Sequence, residues 1–495
     1  MTAIADRVEH HAEQPAIVDP AGAWTYAQVF ADAARLAARL GAGSPTGDPA
    51  PARIALLCNA GHDFVVGLLA CWRAGGLAVP LHPAHPDAEL AYFLADTGAT
   101  VIIASAANAE AARRLARPVG AGVIVVGTDG DDATPVGRPA PADPARRAIV
   151  FYTSGTTGRP KGVVHTHGSL QAQIESLVAA WSWSLDDRTL LVLPLHHVHG
   201  VVNVTLCALW AGARCEAPGG FDALATWDRL ASGDITLFMA VPTIYTRLIA
   251  CWDAADAGDR RRWSAGAARA RLMVSGSAAL PVSTLTRWHE LTGQVLLERY
   301  GMTELGMALS NTLERRVPGM VGEPLPGISV RVVDDHGVDV PDGAAGELLV
   351  RGPQVFLEYW QRADETAASF VDGWFRTGDV AQHTPDGYRL LGRASVDIIK
   401  TGGEKVSALE IEEVYRTHPA VVDCAVVGIP DDEWGERVCA AVVLHTPALT
   451  GDELRAWGKE QLAAAKVPTR FAVLPELPRN TMGKVTKTDV RAIFS

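Results

Sequence analysis

The sequence predicts an α/β protein. A large N-terminal domain of layered sheets and helices with a β-rich portion is followed by a small C-terminal α+β domain. Three observations carry this reading. Short β-branched runs alternate with Ala-rich helical stretches through much of the chain, the pattern of largely parallel sheet covered by helices. After about Ile328 the pattern changes to strands separated by Asp-Gly turns. A further shift after Arg393 leaves enough strand and helix for a separate core, so the domains are placed at 1–396 and 397–495.

Taken in order, Arg53–Leu57 reads as a strand, Asp63–Arg73 as a helix and Leu77–Pro80 as the next strand. Val101–Ile103 and Val123–Val126 continue the series, with a helix over Ala106–Arg117 between them. Asp129–Arg146, rich in Asp, Pro and Ala, reads as a linker. Ala148–Phe151 is a strand that runs into a glycine- and hydroxyl-rich loop. Ser329–Val333, Gly346–Arg351 and Tyr388–Leu391 read as antiparallel strands. Glycines at Gly392 and Gly402-Gly403 bracket the joint. Beyond it come a helix at Ala408–Thr417, strands at Ala425–Gly428 and Cys439–Leu444, and a helix at Gly451–Ala465.

Composition narrows the function classes. Of 495 residues, 48% are hydrophobic and 20% charged, which excludes wholesale disorder. A net charge of −12, with 6% aromatic residues and no aromatic-and-basic cluster, excludes a nucleic-acid surface. The seven cysteines are scattered without a CxxC pair, which predicts reduced, buried thiols in a cytoplasmic protein rather than a zinc cage or disulfide framework. The polar start, with Asp6, Glu9 and Glu13, is not a secretory signal. Apolar stretches such as Phe64–Trp72 fall short of the ~18 residues of a membrane span.

The strongest chemical signal is Thr153-Ser154-Gly155-Thr156-Thr157-Gly158-Arg159-Pro160-Lys161-Gly162, directly after a strand. Glycines let backbone N–H groups approach an anion, hydroxyls add donors and Lys161 adds charge, which is how a loop grips polyphosphate. It is not Walker A, because Lys161 is followed by Gly162-Val163. Further along stand Tyr300-Gly301-Met302-Thr303-Glu304, Thr377-Gly378-Asp379, Gly392-Arg393 with Asp397 to Lys400, and Pro478-Arg479-Asn480-Thr481-Met482-Gly483-Lys484.

In this set and order the motifs resemble the adenylate-forming enzymes: acyl-CoA synthetases, peptide-synthetase adenylation domains and firefly luciferase. The resemblance implies conversion of a carboxylate to an acyl-AMP with release of pyrophosphate, with ATP and Mg²⁺ as cofactors and coenzyme A as co-substrate. It implies that the loop from Thr153 to Lys161 holds phosphates and that Glu304, with Thr157, holds Mg²⁺. Asp379 and Arg393 would serve the ribose. Gly276-Ser277-Ala278 and Glu298 to Thr303 would line the adenine and acyl pockets. Lys484 would reach between carboxylate and α-phosphate, with Lys161, Glu304 and His199 as the other candidate catalytic residues.

The family alternates two placements of its C-terminal domain, with Asp397 at the hinge and Lys400 and Gly402-Gly403 near the thiol channel. Two departures stand out. Three residues rather than two separate Arg393 from Asp397, and Glu404 stands where relatives carry an aromatic or aliphatic residue.

Longer strings, Leu193 to Gly200, Met273 to Ala278, Leu297 to Glu304 and Val396 to Glu410, resemble the malonyl-CoA synthetases. The implied acyl pocket is His199, Asn203, Ser275, Ser277, Arg299, Met302 and Met307. Strand alternation turns Glu298 and Arg299 opposite ways. An inward guanidinium needs an anion, which favours a dicarboxylic acid such as malonate or a 2-substituted malonate. An outward Arg299 would instead tie to a surface carboxylate. His196, His197 and His199 lack acidic or Cys partners at ligand spacing, so structural or substrate contacts are expected rather than a metal.

Three functions remain open: this ligase or a short/medium-chain monoacid version, a stand-alone adenylation enzyme loading a separate carrier protein, and a nucleotide-binding protein with a decayed site. The chain ends at Ser495 just after the lysine motif, so no fused carrier domain is expected.

Overall fold

A computed structural model of the chain describes residues 11–40, 52–127, 143–153, 160–445, 449–479 and 484–494. Four sheets organise it. The seven-stranded sheet runs Glu358–Tyr359, Lys161–Thr166, Arg147–Thr153, Leu77–Pro80, Arg53–Leu57, Val101–Ala104, Gly122–Val125. Its last five strands are parallel, as the alternating pattern predicts. The edge is antiparallel, because the strand after the glycine-rich loop turns straight back on the one before it. The nine-stranded sheet has the same plan. Its parallel centre (Leu297–Met302, Leu272–Ser275, Leu237–Ala240, Arg188–Leu190, Arg214–Glu216, Pro15–Asp19) is flanked by the antiparallel strands Gly306–Ser310, itself followed by Glu323–Pro324, and Gly22–Thr25.

The third sheet joins Ser329–Val333, Ala345–Arg351, Trp374–Thr384 and Gly387–Arg393, all antiparallel. Trp374–Thr384 escapes sequence reading, although Phe375, Thr377, Asp379 and Ala381 alternate inward. Two of those inward residues are polar, which hides the period-two hydrophobic signal. The fourth sheet lies in the C-terminal segment: Glu404–Ser407, Ile398–Thr401, Gly435–Leu444, Val421–Asp431, with Arg470–Val473 parallel to Gly435–Leu444. Ile399, Val406, Ile411, Tyr415, Val426, Val442 and Leu454 pack into a core drawn only from this segment.

Helix boundaries differ from expectation in two places. The predicted helix over Ala106–Arg117 opens as a 3₁₀ turn, Ala106–Asn108, before the α-helix Ala109–Val119. The last long helix stops at Gln461, and Ala464–Lys466 forms a separate 3₁₀ turn. Most of the predicted Asp129–Arg146 linker lies outside the described residues; at its end Arg146 N–H donates to Asp143 O at 2.9 Å.

Helices cover the sheets for local reasons. Tyr26–Leu40 buries Tyr26, Val29, Ala33, Leu36 and Ala37, one stripe at helical spacing. Asp222 caps Ala223–Ala231 by accepting Ala225 N–H at 2.8 Å. That helix brings Trp227 against Trp263 and Trp288, at 5.6 and 5.2 Å between centroids, and Tyr245 closes edge-on over Trp288 at 4.9 Å. Among the described residues no helix is long and apolar enough to cross a membrane.

Trp288 is fully buried at the centre of this aromatic stack. Trp288→Ala is expected to cost about 3–5 kcal/mol of stability, read as a lowered midpoint in urea unfolding.

Candidate active site

The site is built on the C-terminal ends of the nine-stranded sheet's central strands. Leu297–Met302 reaches the edge, turns at Thr303–Leu305 and returns as Gly306–Ser310. The turn is so tight that a Cβ on Gly301 would sit 2.0 Å from Gly306 O and 2.3 Å from Met307 Cε; only glycine fits. Glu304 is presented at this turn. Its carboxylate is buried and accepts the Tyr359 hydroxyl at 3.0 Å, and burial pushes its pKa up. Lys161 lies over the Tyr359 ring at 5.3 Å and pairs with Glu365. A lone buried carboxylate is a hard oxygen donor short of positive charge. That fits Mg²⁺, which takes one or two carboxylates and completes its shell with phosphate and water.

The arms of the glycine-rich loop meet in register, Thr153 opposite Lys161. Ser154, Gly155, Thr156, Thr157 and Gly158 themselves lie outside the described residues.

A second carboxylate comes from the third sheet. Cross-strand register sets Asp379 opposite Arg393. Arg393 Nε lies 3.0 Å from Asp379 Oδ1, and the Tyr300 hydroxyl donates to Oδ2 at 2.6 Å. Burial raises the Asp379 pKa; Arg393 and Tyr300 oppose this without cancelling it. The result is an oriented carboxylate with acceptor capacity left over.

Arg299 is the unusual member. It is 3% exposed and faces inward, with no carboxylate partner among the described residues. Its nearest polar contact is Ser277 Oγ, 3.4 Å from Nη2 and 3.5 Å from Nη1, and Nε has no hydrogen-bond partner among the described residues. Burial pulls its pKa down to about 9, still charged at neutral pH. The guanidinium lies over Gly276, where a Cβ would come within 2.5 Å of Cζ. Because Arg299 can only donate, Ser277 accepts from it, and the same hydroxyl lies 3.2 Å from His199 Nδ1. His199 is kept neutral by burial and by Arg299. Glu298 takes the opposite face, as alternation requires: it accepts Gly319 N–H at 2.8 Å, and burial pushes it up to about 8.

Asn203 shares with His199 the π-helical segment His199–Leu206, a widened turn of the kind often found at functional sites. Asn203, Ser275 and Met307 are fully buried, while Met302 is half-buried and Ala278 exposed. Lys484 keeps access to water, yet protein crowds its ammonium. That desolvation, then Arg393 and Arg299, push its pKa below the lysine range, while Asp379 pulls the other way. Lys484 also lowers His197, which burial and neighbouring histidines bring to about 3. His197 touches His196, whose ring also meets His82 and His85. No group of metal-ligating side chains forms among the described residues.

Asp397 closes a local turn: its N–H donates to Arg393 O at 2.8 Å, and Oδ2 accepts Arg393 N–H at 3.0 Å. The extra residue between Arg393 and Asp397 supplies this i to i+4 closure. Gly402-Gly403 turns at positive φ between Ile398–Thr401 and Glu404–Ser407, with Trp434 against Gly402. Lys400 and Glu404 are exposed, and Lys405 pairs with Asp335 at 2.7 Å. No described hydrogen bond or ion pair joins this hairpin to Arg299 or its neighbours.

Sequence reasoning missed the buried side chains that hold the Glu304 turn. His165, brought to about 4 by burial and so neutral, donates from Nε2 to Thr303 O at 2.7 Å. Gln354 donates to Met307 O at 2.8 Å. Gln173 donates to Asn203 Oδ1 at 2.8 Å. The one signal available was His165, a histidine directly after the apolar pair Val163-Val164.

Comparison with known proteins places this geometry. Residues 4–360 match the AMP-binding enzyme family, and residues 410–484 match the AMP-binding enzyme C-terminal domain. A Mus musculus protein named malonate–CoA ligase ACSF3, mitochondrial, is 43% identical over 96% of this chain and 88% of its own. An Arabidopsis thaliana protein named malonate–CoA ligase is 38% identical over 89% of this chain and 78% of its own. The crystal structure of ATP-bound MatB from Rhodopseudomonas palustris superposes with a TM-score of 0.89 at 34% identity, covering 99% of this chain and 98% of that one.

Tyr300→Phe removes the hydroxyl that steadies ionised Asp379. Nucleotide affinity is expected to weaken about tenfold. An acceptor carboxylate loses its role when protonated, so affinity falls as pH drops through the raised Asp379 pKa. The variant should move that acid limb to higher pH, measured by calorimetric titration of ATP across pH.

Proposed function

The chain belongs to the AMP-binding enzyme family, and from that premise we propose that it joins malonate to coenzyme A using ATP, through malonyl-AMP. One observation carries the choice of acid: the buried Arg299 guanidinium, which faces inward without a carboxylate. A charge held in that way is costly, and the far carboxylate of a dicarboxylic acid supplies the missing partner in bidentate geometry. A monoacid leaves it unpaired and is penalised by a few kcal/mol. Met302 and Met307, flexible thioethers beside Gly301, are the walls on which a substituent at C2 would rest.

In this reading Arg299, with Ser277 and His199 behind it, holds the far carboxylate and leaves the near one free to attack. Asp379 accepts from the ribose hydroxyls, held by Tyr300 and Arg393. Lys161 and the Thr153–Lys161 loop take the β- and γ-phosphates, Lys161 leaving Glu365 to do so. Glu304, with Thr157, would hold Mg²⁺, which would supply positive charge against the phosphates. Lys484 lies between near carboxylate and α-phosphate, where its ammonium offsets charge gathering at phosphorus. The malonate oxygen forms the new O–P bond and pyrophosphate leaves. In the second half, the C-terminal domain (397–495) swings about Asp397, and the turn at Gly402-Gly403, with Lys400, shapes the thiol path. The sulfur of CoA bonds to the malonyl carbonyl carbon, the carbon–oxygen bond to AMP breaks, and the thiol proton passes to solvent. Buried, unpaired thiols such as Cys58, Cys71 and Cys207 suit a reducing compartment, and we place the enzyme in the cytoplasm.

Pyrophosphate release and thioester formation are expected with malonate well above acetate, butyrate and octanoate; a monoacid preference overturns the choice of acid. Arg299→Met is expected to lower kcat/KM for malonate about 10²–10³-fold while leaving butyrate turnover undiminished. Adenylation, followed by ATP–pyrophosphate exchange, should decline with rising pH below the ordinary lysine range as Lys484 loses its proton. Lys484→Arg, slower but always charged, should lack that limb.

A further inference from the structure

Gln173 lies on the helix His167–Ala180, outside every motif, and is 1% exposed. Its Nε2 donates to Asn203 Oδ1 at 2.8 Å. The remaining polar atoms of the pair, Gln173 Oε1 and Asn203 Nδ2, are buried without a hydrogen-bond partner among the described residues. Asn203 is 0% exposed and stands one helical turn from His199, whose Nδ1 meets Ser277, the hydroxyl that also meets Arg299. The Gln173 carboxamide lies over Gly306 at the Glu304 turn. A Cβ there would be 2.3 Å from Oε1 and 2.9 Å from Nε2, so the carboxamide, carbonyl end nearer, occupies the space a side chain at Gly306 would need.

A buried amide can offer its surroundings either a carbonyl oxygen or an NH₂, and the two have opposite preferences for an anion. With its oxygen taken by Gln173, Asn203 has only the NH₂ left to give. A buried donor without a partner is costly until something accepts from it. We propose that Gln173 is a positioning residue for acid selectivity: it holds the Asn203 amide so that the NH₂ adds to Arg299 in receiving the far carboxylate of the dicarboxylic acid. The proposal rests on the malonate reading above. It adds a residue that touches no substrate and acts by setting the polarity of one that does.

The test compares malonate with butyrate in the wild type, Gln173→Met, Gln173→Glu and Asn203→Leu, alone and with Gln173→Met. Met keeps the volume and removes the donor. Glu keeps the shape and, when ionised, can only accept, so it draws the Asn203 NH₂ toward itself and turns the oxygen outward. Both variants are expected to lower the malonate-to-butyrate ratio of kcat/KM about 10–100-fold, chiefly through KM for malonate. KM for ATP should stay within twofold of wild type. In the Asn203→Leu background, Gln173→Met should change the ratio no further, because the residue through which it acts is gone. Should Gln173→Met fail to fold, Gln173→Glu carries the same reading. A ratio unchanged in either folded variant, or an equal drop in the Asn203→Leu background, overturns the proposal while malonate turnover stands. Absence of malonate turnover by the wild type overturns the malonate reading itself, and this inference with it.

Discussion

An unpaired guanidinium inside a protein is the constraint around which this site is arranged. Arg299 has five donors, and in this structure they find one serine hydroxyl at the long end of hydrogen-bond distance. Desolvating such a charge without a counter-ion costs several kcal/mol, so the surrounding fold must hold it in place. It does so by geometry. The strand that carries Arg299 sits between two others near the sheet's edge, Gly276 clears the space its guanidinium occupies, and Ser277 passes the contact on to a neutral histidine. Stability is given up at one point and recovered by whatever anion enters.

The same logic extends to the other charges. Glu304 is buried with a tyrosine hydroxyl where a cation would be expected, and burial leaves it easier to protonate than a carboxylate in water. Asp379 is better compensated, yet burial still outweighs Arg393 and Tyr300. Lys484 is pushed the opposite way by two arginines. An arginine without a carboxylate partner among the described residues, a buried carboxylate met by a tyrosine hydroxyl and a crowded ammonium lie close together, Arg393 acting on both Glu304 and Lys484. Each is unfavourable alone, and in the proposed function an acid, a polyphosphate and a divalent ion would relieve them together. That convergence, more than any single motif, separates this cleft from the ordinary ion pairs elsewhere on the chain, such as Arg271 with the buried Asp187.

What was legible in the sequence follows from how local each feature is. The parallel centre of the seven-stranded sheet was readable because Val- and Ala-rich runs alternate along the chain, whereas the strands of the nine-stranded sheet were not read one by one. The antiparallel edges were not, because they depend on a loop and a three-residue turn doubling the chain back. Trp374–Thr384 was hidden by the polar residues it turns inward. Within the site, charged and glycine residues stood in contiguous strings and could be named. Their supports could not: Gln173 meets Asn203 across 30 positions, Gln354 meets Met307 across 47 and His165 meets Thr303 across 138. No spacing rule reaches such pairs, since only the folded sheet brings them together.

The joint between the two parts shows how one departure from a familiar spacing is absorbed. Arg393 is tied to the third sheet through Asp379, and its backbone opens the turn that ends at Asp397. With three residues between them the turn closes on itself, N–H of Asp397 to O of Arg393 and carboxylate of Asp397 to N–H of Arg393. Asp397 Oδ1 in turn lies 3.6 Å from Lys487 Nζ, which pairs with Glu412 and donates to Val426 O at 2.6 Å. Ala408 N–H donates to Asp397 O at 2.7 Å, tying in the first helix of the C-terminal segment. One aspartate thus holds a backbone amide of the third sheet, a helix start and a lysine three residues beyond Lys484. A rotation at this point would have to break the Arg393 contacts, together with Ser407 Oγ to Leu391 O, Lys405 to Asp335 and Val282 N–H to Glu413, while keeping the Lys487 and Ala408 ones. The second set is internal to the C-terminal segment, and the first reaches across the stretch that holds the additional residue.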